Sequence, residues 1–203
     1  HAICLLMNQL TGNVKHPKGL FVLFFTEMWE RFGYYLMIGI LFLYLTDTTG
    51  HGGRGFDTIT AIDIVGTYVA LVYLTPFIGG LIADRFLGYS KAIYLGGSLM
   101  ALGYFLLSIP GSNALLYLSL LCVIIGNGFF KPNISTLLGN IYNKDELKPK
   151  KDAAYNIFYM GINIGAFVCN FVASYLRNNY TWGYAFAAAG VGMLIGMAWF
   201  ASG

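Results

Sequence analysis

Phe24 to Tyr35 reads FFTEMWERFGYY and places Glu27, Glu30 and Arg31 in a stretch otherwise suited to lipid. The surrounding run from Leu20 to Leu45 is about as long as a tilted bilayer-spanning helix needs to be. Ionisable side chains inside such a span cost roughly 2.5–3.5 kcal/mol each on insertion scales, so they must face protein or a water-filled cavity. Their spacing allows this. Positions 27, 30, 31, 34 and 35 fall at i, i+3, i+4, i+7 and i+8, one face of a helix. That face carries two carboxylates, a guanidinium and the phenols of Tyr34 and Tyr35. A structural ion pair between Arg31 and Glu27, one turn back, is the plain reading for a soluble helix. Within a membrane the same set reads first as a functional site.

Working outward, composition supports the membrane. The 203 residues are 57% hydrophobic and 10% charged, with a mean hydropathy of +0.64, whereas soluble domains carry about 25% charged residues. A net charge of +3 with no basic stripe gives no reason to expect nucleic acid as a partner. Cys4, Cys122 and Cys169 lie far apart, and two fall in apolar spans, which suits buried thiols better than a disulfide or metal framework. Because the chain begins at His1 and stops at Gly203 just after an apolar span, we expect it to be part of a longer protein.

Residues 1–16 predict a disordered leader, and residues 17–203 a bundle of membrane spans. The spans are expected at Leu20–Leu45, Ile59–Ala83, Ala92–Ile109, Ala114–Leu138, Ala153–Leu176 and Tyr184–Ala201. Between them lie the Gly- and Thr-rich loop Asp47–Asp57, a tight loop Asp84–Lys91, the turn PGSN, the polar connection Tyr142–Asp152 and the turn RNNYTWG. Lys15, Lys18, Arg85, Lys91, Lys144, Lys148, Lys150 and Lys151 collect on one side, with only Arg54 and Arg177 on the other. By the positive-inside rule the first side, with both ends of the segment, is cytoplasmic.

Other stretches carry chemistry. In the fourth span, GNGFFKPN puts Lys131 before Pro132, which frees carbonyls near Gly128. Lys131 needs an acidic partner in so dry a place, and the carboxylates of the first span are taken as the only intramembrane acids. A Lys131–Glu30 or Lys131–Glu27 pair across the bundle is therefore expected, and such a pair could store a proton. Snorkelling of Lys131 toward the cytoplasm is the alternative. GGLIADRFLG places Gly79, Gly80, Asp84, Arg85 and Gly88 at the junction of spans two and three, a gating and packing element. In the fifth span, Gly161 and Gly165 form a small-xxx-small pair, and Asn163 is either cavity-facing or interhelical glue. Tyr68 and Tyr73 could line the same cavity. Trp182 and Trp199 read as interface anchors or packing residues. His1, His16 and His51 sit at the terminus or in loops, and no serine has a base beside it, so no enzyme, metal or cofactor is expected.

Taken together, EMWERFGYY, GGLIADRFLG, GFFKPN and FYMGINIGAF resemble, in order and spacing, the proton-dependent oligopeptide transporter family of the major facilitator superfamily. The resemblance runs from about His16 to Gly203. It implies an all-α integral membrane fold in which these six spans are the N-terminal bundle of a twelve-helix transporter, built from inverted three-helix repeats. It implies a multi-pass protein of the cell membrane that imports di- and tripeptides, with protons as the coupling ion. Glu27, Glu30, Arg31 and Lys131 match the family's coupling residues. Arg31 and Lys131 would hold the peptide carboxylate, while Tyr34, Tyr35, Tyr73 and Asn163, with Tyr68 a weaker candidate, would contact the peptide. Many members carry arginine where this chain has Ile38, which leaves open another anionic solute such as nitrate or a peptide-like conjugate. A non-transporting assembly subunit, with ion pairs serving only packing, is the rival from another class. The implied partners are the peptides, the bilayer and a C-terminal six-helix bundle that supplies an acid for the peptide's amino end.

Overall fold

The computed structural model describes residues 15–203. Six long helices carry them: α1 (Lys18–Thr46), α2 (Thr58–Ile82), α3 (Tyr89–Ser108), α4 (Asn113–Ile141), α5 (Lys151–Asn179) and α6 (Trp182–Ala201). A helix satisfies its backbone groups internally, which is what a segment crossing hydrocarbon must do. Five of the six, α2 to α6, are long and apolar enough to cross a membrane. The first, at 29 residues, is long enough, but Lys18, Glu27, Glu30 and Arg31 lie on it and it falls outside that set. The sixth expected span is thus one of length rather than of composition.

Several boundaries differ from the sequence reading. The tight loop expected over Asp84–Lys91 is instead a wide π-helical turn, Ala83–Leu87, continuous with α2, and α3 already begins at Tyr89. Gly88 makes the corner with φ of 77°, a conformation that glycine adopts without penalty. α4 runs on to Ile141, and α5 begins at Lys151 behind a short 3-10 turn, Lys148–Lys150. Caps mark two starts: Asp57 accepts from the Thr60 N–H at 3.1 Å, and Ser112 from the Leu115 N–H at 3.3 Å. The expected leader lies outside the described residues except for Lys15 and His16. His16 Nδ1 lies 2.6 Å from the Tyr142 hydroxyl, tying the start of the bundle to the end of α4.

α1 packs against α5 and α6, α3 against α4 and α6, and α2 against α4. The helices therefore form an arc, α2–α4–α3–α6–α1–α5, and α1 touches α2 and α4 only lightly. The two ends of the arc are the least covered. α2 buries only Ala61, Tyr68, Val72 and Gly79, while Phe77 on α2 and Phe167 on α5 are 72% and 67% exposed.

Small residues set how closely the helices approach, as expected where lipid gives no hydrophobic drive between them. A Cβ on Gly79 would collide with the Gly128 carbonyl oxygen, and one on Gly165 with the Met28 carbonyl oxygen. Gly161 lies against the Phe24 carbonyl, 3.1 Å from where its Cβ would stand, and Gly80 against Pro132 at 3.7 Å. Pro132 sits inside an unbroken α4. The Gly128 carbonyl, four residues back, loses its helical donor to the proline and turns its oxygen to the Gly79 Cα instead. The Thr75 hydroxyl donates to the Ile124 carbonyl at 3.1 Å along the same seam. In the full-length protein, Gly79→Val is expected to lower stability by ~1–3 kcal/mol through overpacking, read as a lower melting temperature in detergent. Gly66→Ala, with nothing within 4 Å of the added carbon, should leave it unchanged or slightly raised.

Candidate functional site

α1 holds the site because its apolar faces pack on α5 and α6 while one polar stripe turns inward. Glu27, Glu30 and Arg31 are 3%, 0% and 4% exposed. Arg31 folds back on its sequence neighbour: Nη2 donates to Glu30 Oε1 at 2.6 Å, and Nε donates to Glu30 Oε2. Two parallel charge-assisted bonds of this kind fix the guanidinium plane. Nε also lies 3.3 Å from Glu27 Oε1. The partner predicted from the one-turn spacing, Glu27, is thus the secondary one, and Glu27 Oε2 has no hydrogen-bond partner among the described residues. The Tyr34 ring stands 5.0 Å from the Arg31 guanidinium carbon, and Tyr35, partly exposed, meets Tyr34 edge-on at 5.4 Å.

Lys131 does not form the expected pair. Among the described residues it lies within ion-pair distance of no carboxylate, and its ammonium stands 5.2 Å over the Tyr73 ring. The reason is geometric. Both Glu30 oxygens are taken by Arg31, and Lys131 points along the α2–α4 seam instead of across to α1. Half-buried on an aromatic face, the ammonium keeps a cation–π contact and stays open to a further anion.

The remaining predicted residues divide. Tyr73 is 64% exposed on α2 and joins Lys131. Tyr68 is buried, with its hydroxyl unpartnered among the described residues. Its ring helps wall a cavity of about 500 Å³ between α2 and α4, where the two helices part beyond the Thr75 contact. Asn163 is exposed on α5 and bonds to no neighbouring helix among the described residues. Asp84 and Arg85 are both exposed in the wide turn, away from the Arg31 cluster.

Three residues were missed. Asp63 lies inside α2 and walls the 500 Å³ cavity, so the carboxylates of α1 are not the only acids within the helices. Its place inside Ile59–Ala83 was visible in the sequence. Asn127, an amide in the middle of an apolar span, is fully buried, with both side-chain polar atoms unpartnered among the described residues. Tyr104 on α3 is fully buried, and its hydroxyl too has no partner among the described residues. Nothing in its sequence context separates it from the many other tyrosines.

At the opposite end of α1 a second cluster locks three elements. Asp47 accepts from Trp182 Nε1 at 3.0 Å and from the Thr48 N–H at 2.9 Å. Arg177 lies 3.9 Å from Asp47 and 4.9 Å over the Trp182 ring. Trp182 is therefore a buried clamp, not an interface anchor. Desolvation pushes the Asp47 carboxyl up, but the hydrogen bonds from Trp182, Thr48 and His51 outweigh it and hold the group below its ordinary range. A carboxyl lowered on folding stabilises above its unfolded value, about 3.9, and loses that contribution as pH falls through its folded value. Asp47→Asn in the full-length protein should melt at a lower temperature than wild type at neutral pH. The gap should close in a pH series taken below about 4.

The fold and its buried ionic cluster define a class, a multi-pass helical membrane protein. The particular family follows from comparison with known proteins. Residues 90–203 match the model of the POT family, and the chain belongs to that family. It is 44% identical over 190 residues to the uncharacterized transporter YclF of Bacillus subtilis (strain 168), covering 94% of this chain and 38% of the relative. A di-/tripeptide transporter of Lactococcus lactis subsp. lactis (strain IL1403) is 40% identical over 183 residues, covering 89% and 36%. Among solved structures, the peptide transporter POT in complex with sulfate superposes with a TM-score of 0.89 at 41% identity, over 96% of this chain and 40% of that one. A POT family transporter in complex with 5-aminolevulinic acid gives 0.88 at 37%, over 95% and 39%. The chain thus spans well under half the length of these relatives.

Proposed function

We propose that the full-length protein is a proton-coupled symporter that imports di- and tripeptides across the cell membrane by alternating access. The observation that carries this reading is the pair of cations on facing helices. Arg31 is held by carboxylates that a proton could neutralise, and Lys131 is held by no carboxylate among the described residues. A substrate carboxylate gains charge-assisted bonds from both. Protonating the Glu27/Glu30 pair releases Arg31 for that contact, which links proton and substrate. Tyr34, Tyr35, Tyr73 and Asn163 would meet the peptide itself, and Tyr68 stands behind them. The open flanks of α2 and α5 would face a second six-helix bundle, which supplies an acid for the peptide's amino end. Gly79, Gly80, Gly88, Asp84, Arg85 and Pro132 would serve as the gate between α2 and α3 and its seam to α4, with Gly161 and Gly165 packing α5 on α1. The charge asymmetry of the loops supports a cytoplasmic N-terminus for the segment. The peptide-transporter names of the relatives support the substrate class.

Ile38, where an arginine would add a third cation, keeps a second reading open: transport of another anionic solute. Uptake of labelled dialanine into liposomes holding the full-length protein, with and without an inward proton gradient, separates the two. Gradient-driven accumulation is expected, and Lys131→Ala should reduce it at least about tenfold, a loss of ~1.4 kcal/mol. Folded protein that accumulates no dipeptide but does accumulate another anion would replace the peptide reading with the second one. Folded protein that moves neither would leave the assembly-subunit reading.

A further inference from the structure

Two buried phenols face the ionic cluster without a hydrogen bond of their own. Tyr104, on α3, packs its ring edge 3.2 Å from where a Cβ on Gly33 would stand, one turn along α1 from Glu30. Its hydroxyl lies within electrostatic reach of Glu30, Arg31 and Tyr34. Tyr68, on α2, brings its hydroxyl within reach of Tyr104, Tyr34, Glu30 and Arg31. Both rings are at most 2% exposed, and neither hydroxyl has a partner among the described residues. Buried hydroxyls left unpaired cost free energy, and unpaired groups in a native fold call for an explanation. Leucine or phenylalanine would fill both positions without that cost.

The geometry points to Tyr104, with Tyr68 beside it, as the alternate hydrogen-bond partner that receives the Glu30 carboxyl when Arg31 leaves it for a substrate carboxylate. The inference rests on the transport reading above for what draws Arg31 away, but not for the contact itself. In the state described here both Glu30 oxygens are occupied by Arg31. Once Arg31 departs, a protonated carboxyl needs an acceptor for its O–H and a donor for its carbonyl oxygen, and a phenol offers both. The phenols thereby hold the protonated state in a dry site where it would otherwise be stranded. Every helix around Glu30 agrees with this. α1 presents Glu27, Arg31 and Tyr34, α2 presents Tyr68, α3 presents Tyr104, and α4 presents Lys131. α6 has Tyr184 as its only titratable side chain, near its start. On α5 the charged residues lie at the ends, Tyr159 is exposed, and the Cys169 thiol donates to the Ala166 carbonyl at 3.1 Å. Tyr104 is on this account a positioning residue, acting on the proton through Glu30.

The test is the infrared difference spectrum of the full-length protein between neutral and acid pH, alongside its uptake. A carboxylic C=O band that disappears in Glu30→Gln belongs to Glu30. In Tyr104→Phe that band should move to higher frequency, as a lost hydrogen bond demands. Half-maximal uptake should move about one pH unit lower, because the protonated state has lost a partner. Tyr68→Phe should shift both in the same direction by less. A band and pH profile that stay in place in both folded variants would overturn the assignment. So would a lower melting temperature with an unmoved band, which is what a packing role alone produces. Wild-type protein with no Glu30 band would overturn it as well. A band that moves in protein accumulating no dipeptide supports the contact and counts against the peptide reading alone.

Discussion

The bidentate bond between Arg31 and Glu30 is the constraint around which the rest of the bundle is arranged. A guanidinium and two carboxylates stripped of water cost several kcal/mol each unless the geometry is good and the remaining lone pairs are met. Adjacent residues on a helix point in different directions, so Arg31 reaches Glu30 only by curling along the helix, and the Tyr34 ring beneath it holds the curl. That arrangement needs every other direction sealed. α5 and α6 seal it from one side, with Gly161, Gly165, Gly192 and Gly196 letting their backbones lie directly on the apolar faces of α1. The small residues and the ion cluster are two halves of one requirement, since a wider approach would admit lipid or water to the charges.

On the other side the seal is made differently. α3 and α4 interlock at Gly96 and Gly126, each 2.6 Å from the other's carbonyl oxygen where a Cβ would stand. α4 in turn clasps α2 at Gly128 and Gly79, but only over the half that contains Pro132. Beyond Thr75 the two helices part around the cavity walled by Asp63 and Tyr68. α2 is therefore attached along one half of its length and touches α1 only lightly. In packing terms it is the least tied of the six, and the same helix carries Tyr73 over Lys131. A movement of α2 would alter the surroundings of Lys131 before it disturbed Arg31.

How much of this was legible in the sequence follows from what each signal depends on. Charge in an apolar run is local, so the face bearing Glu27, Glu30, Arg31 and Tyr34 could be read from spacing alone. Small-xxx-small spacing is also local, which is why Gly161 and Gly165 stood out, whereas Gly96 and Gly126 depend on two helices meeting at one height. Pairing is not local. The expectation that Lys131 would find Glu30 treated opposite charges as sufficient, but Arg31, a neighbour in sequence, had already filled both oxygens. The one-turn rule likewise favoured Glu27 and overlooked that a long guanidinium side chain can serve the residue next to it. Tyr104 and Trp182 draw their roles entirely from tertiary placement, against Gly33 and Asp47, and no pattern along the chain reports that.

The charges themselves limit what the site can bind. Formal charges on Glu27 and Glu30 against Arg31 and Lys131 sum to neutrality, although of the two cations only Arg31 is ion-paired among the described residues. In a poorly hydrated interior a net charge is expensive, and a neutral sum is the state that needs no counter-ion. A carboxylate arriving between Arg31 and Lys131 makes the site net negative by one. The change can be undone without moving any helix only by adding a single positive charge, and a proton on Glu27 or Glu30 does this while also freeing Arg31 to turn. On the proposed transport reading, electroneutrality then calls for one proton per bound carboxylate, before any motion is invoked. The unpartnered Glu27 oxygen and the phenols of Tyr68 and Tyr104 matter for the same reason: they decide which carboxyl holds that proton, and for how long.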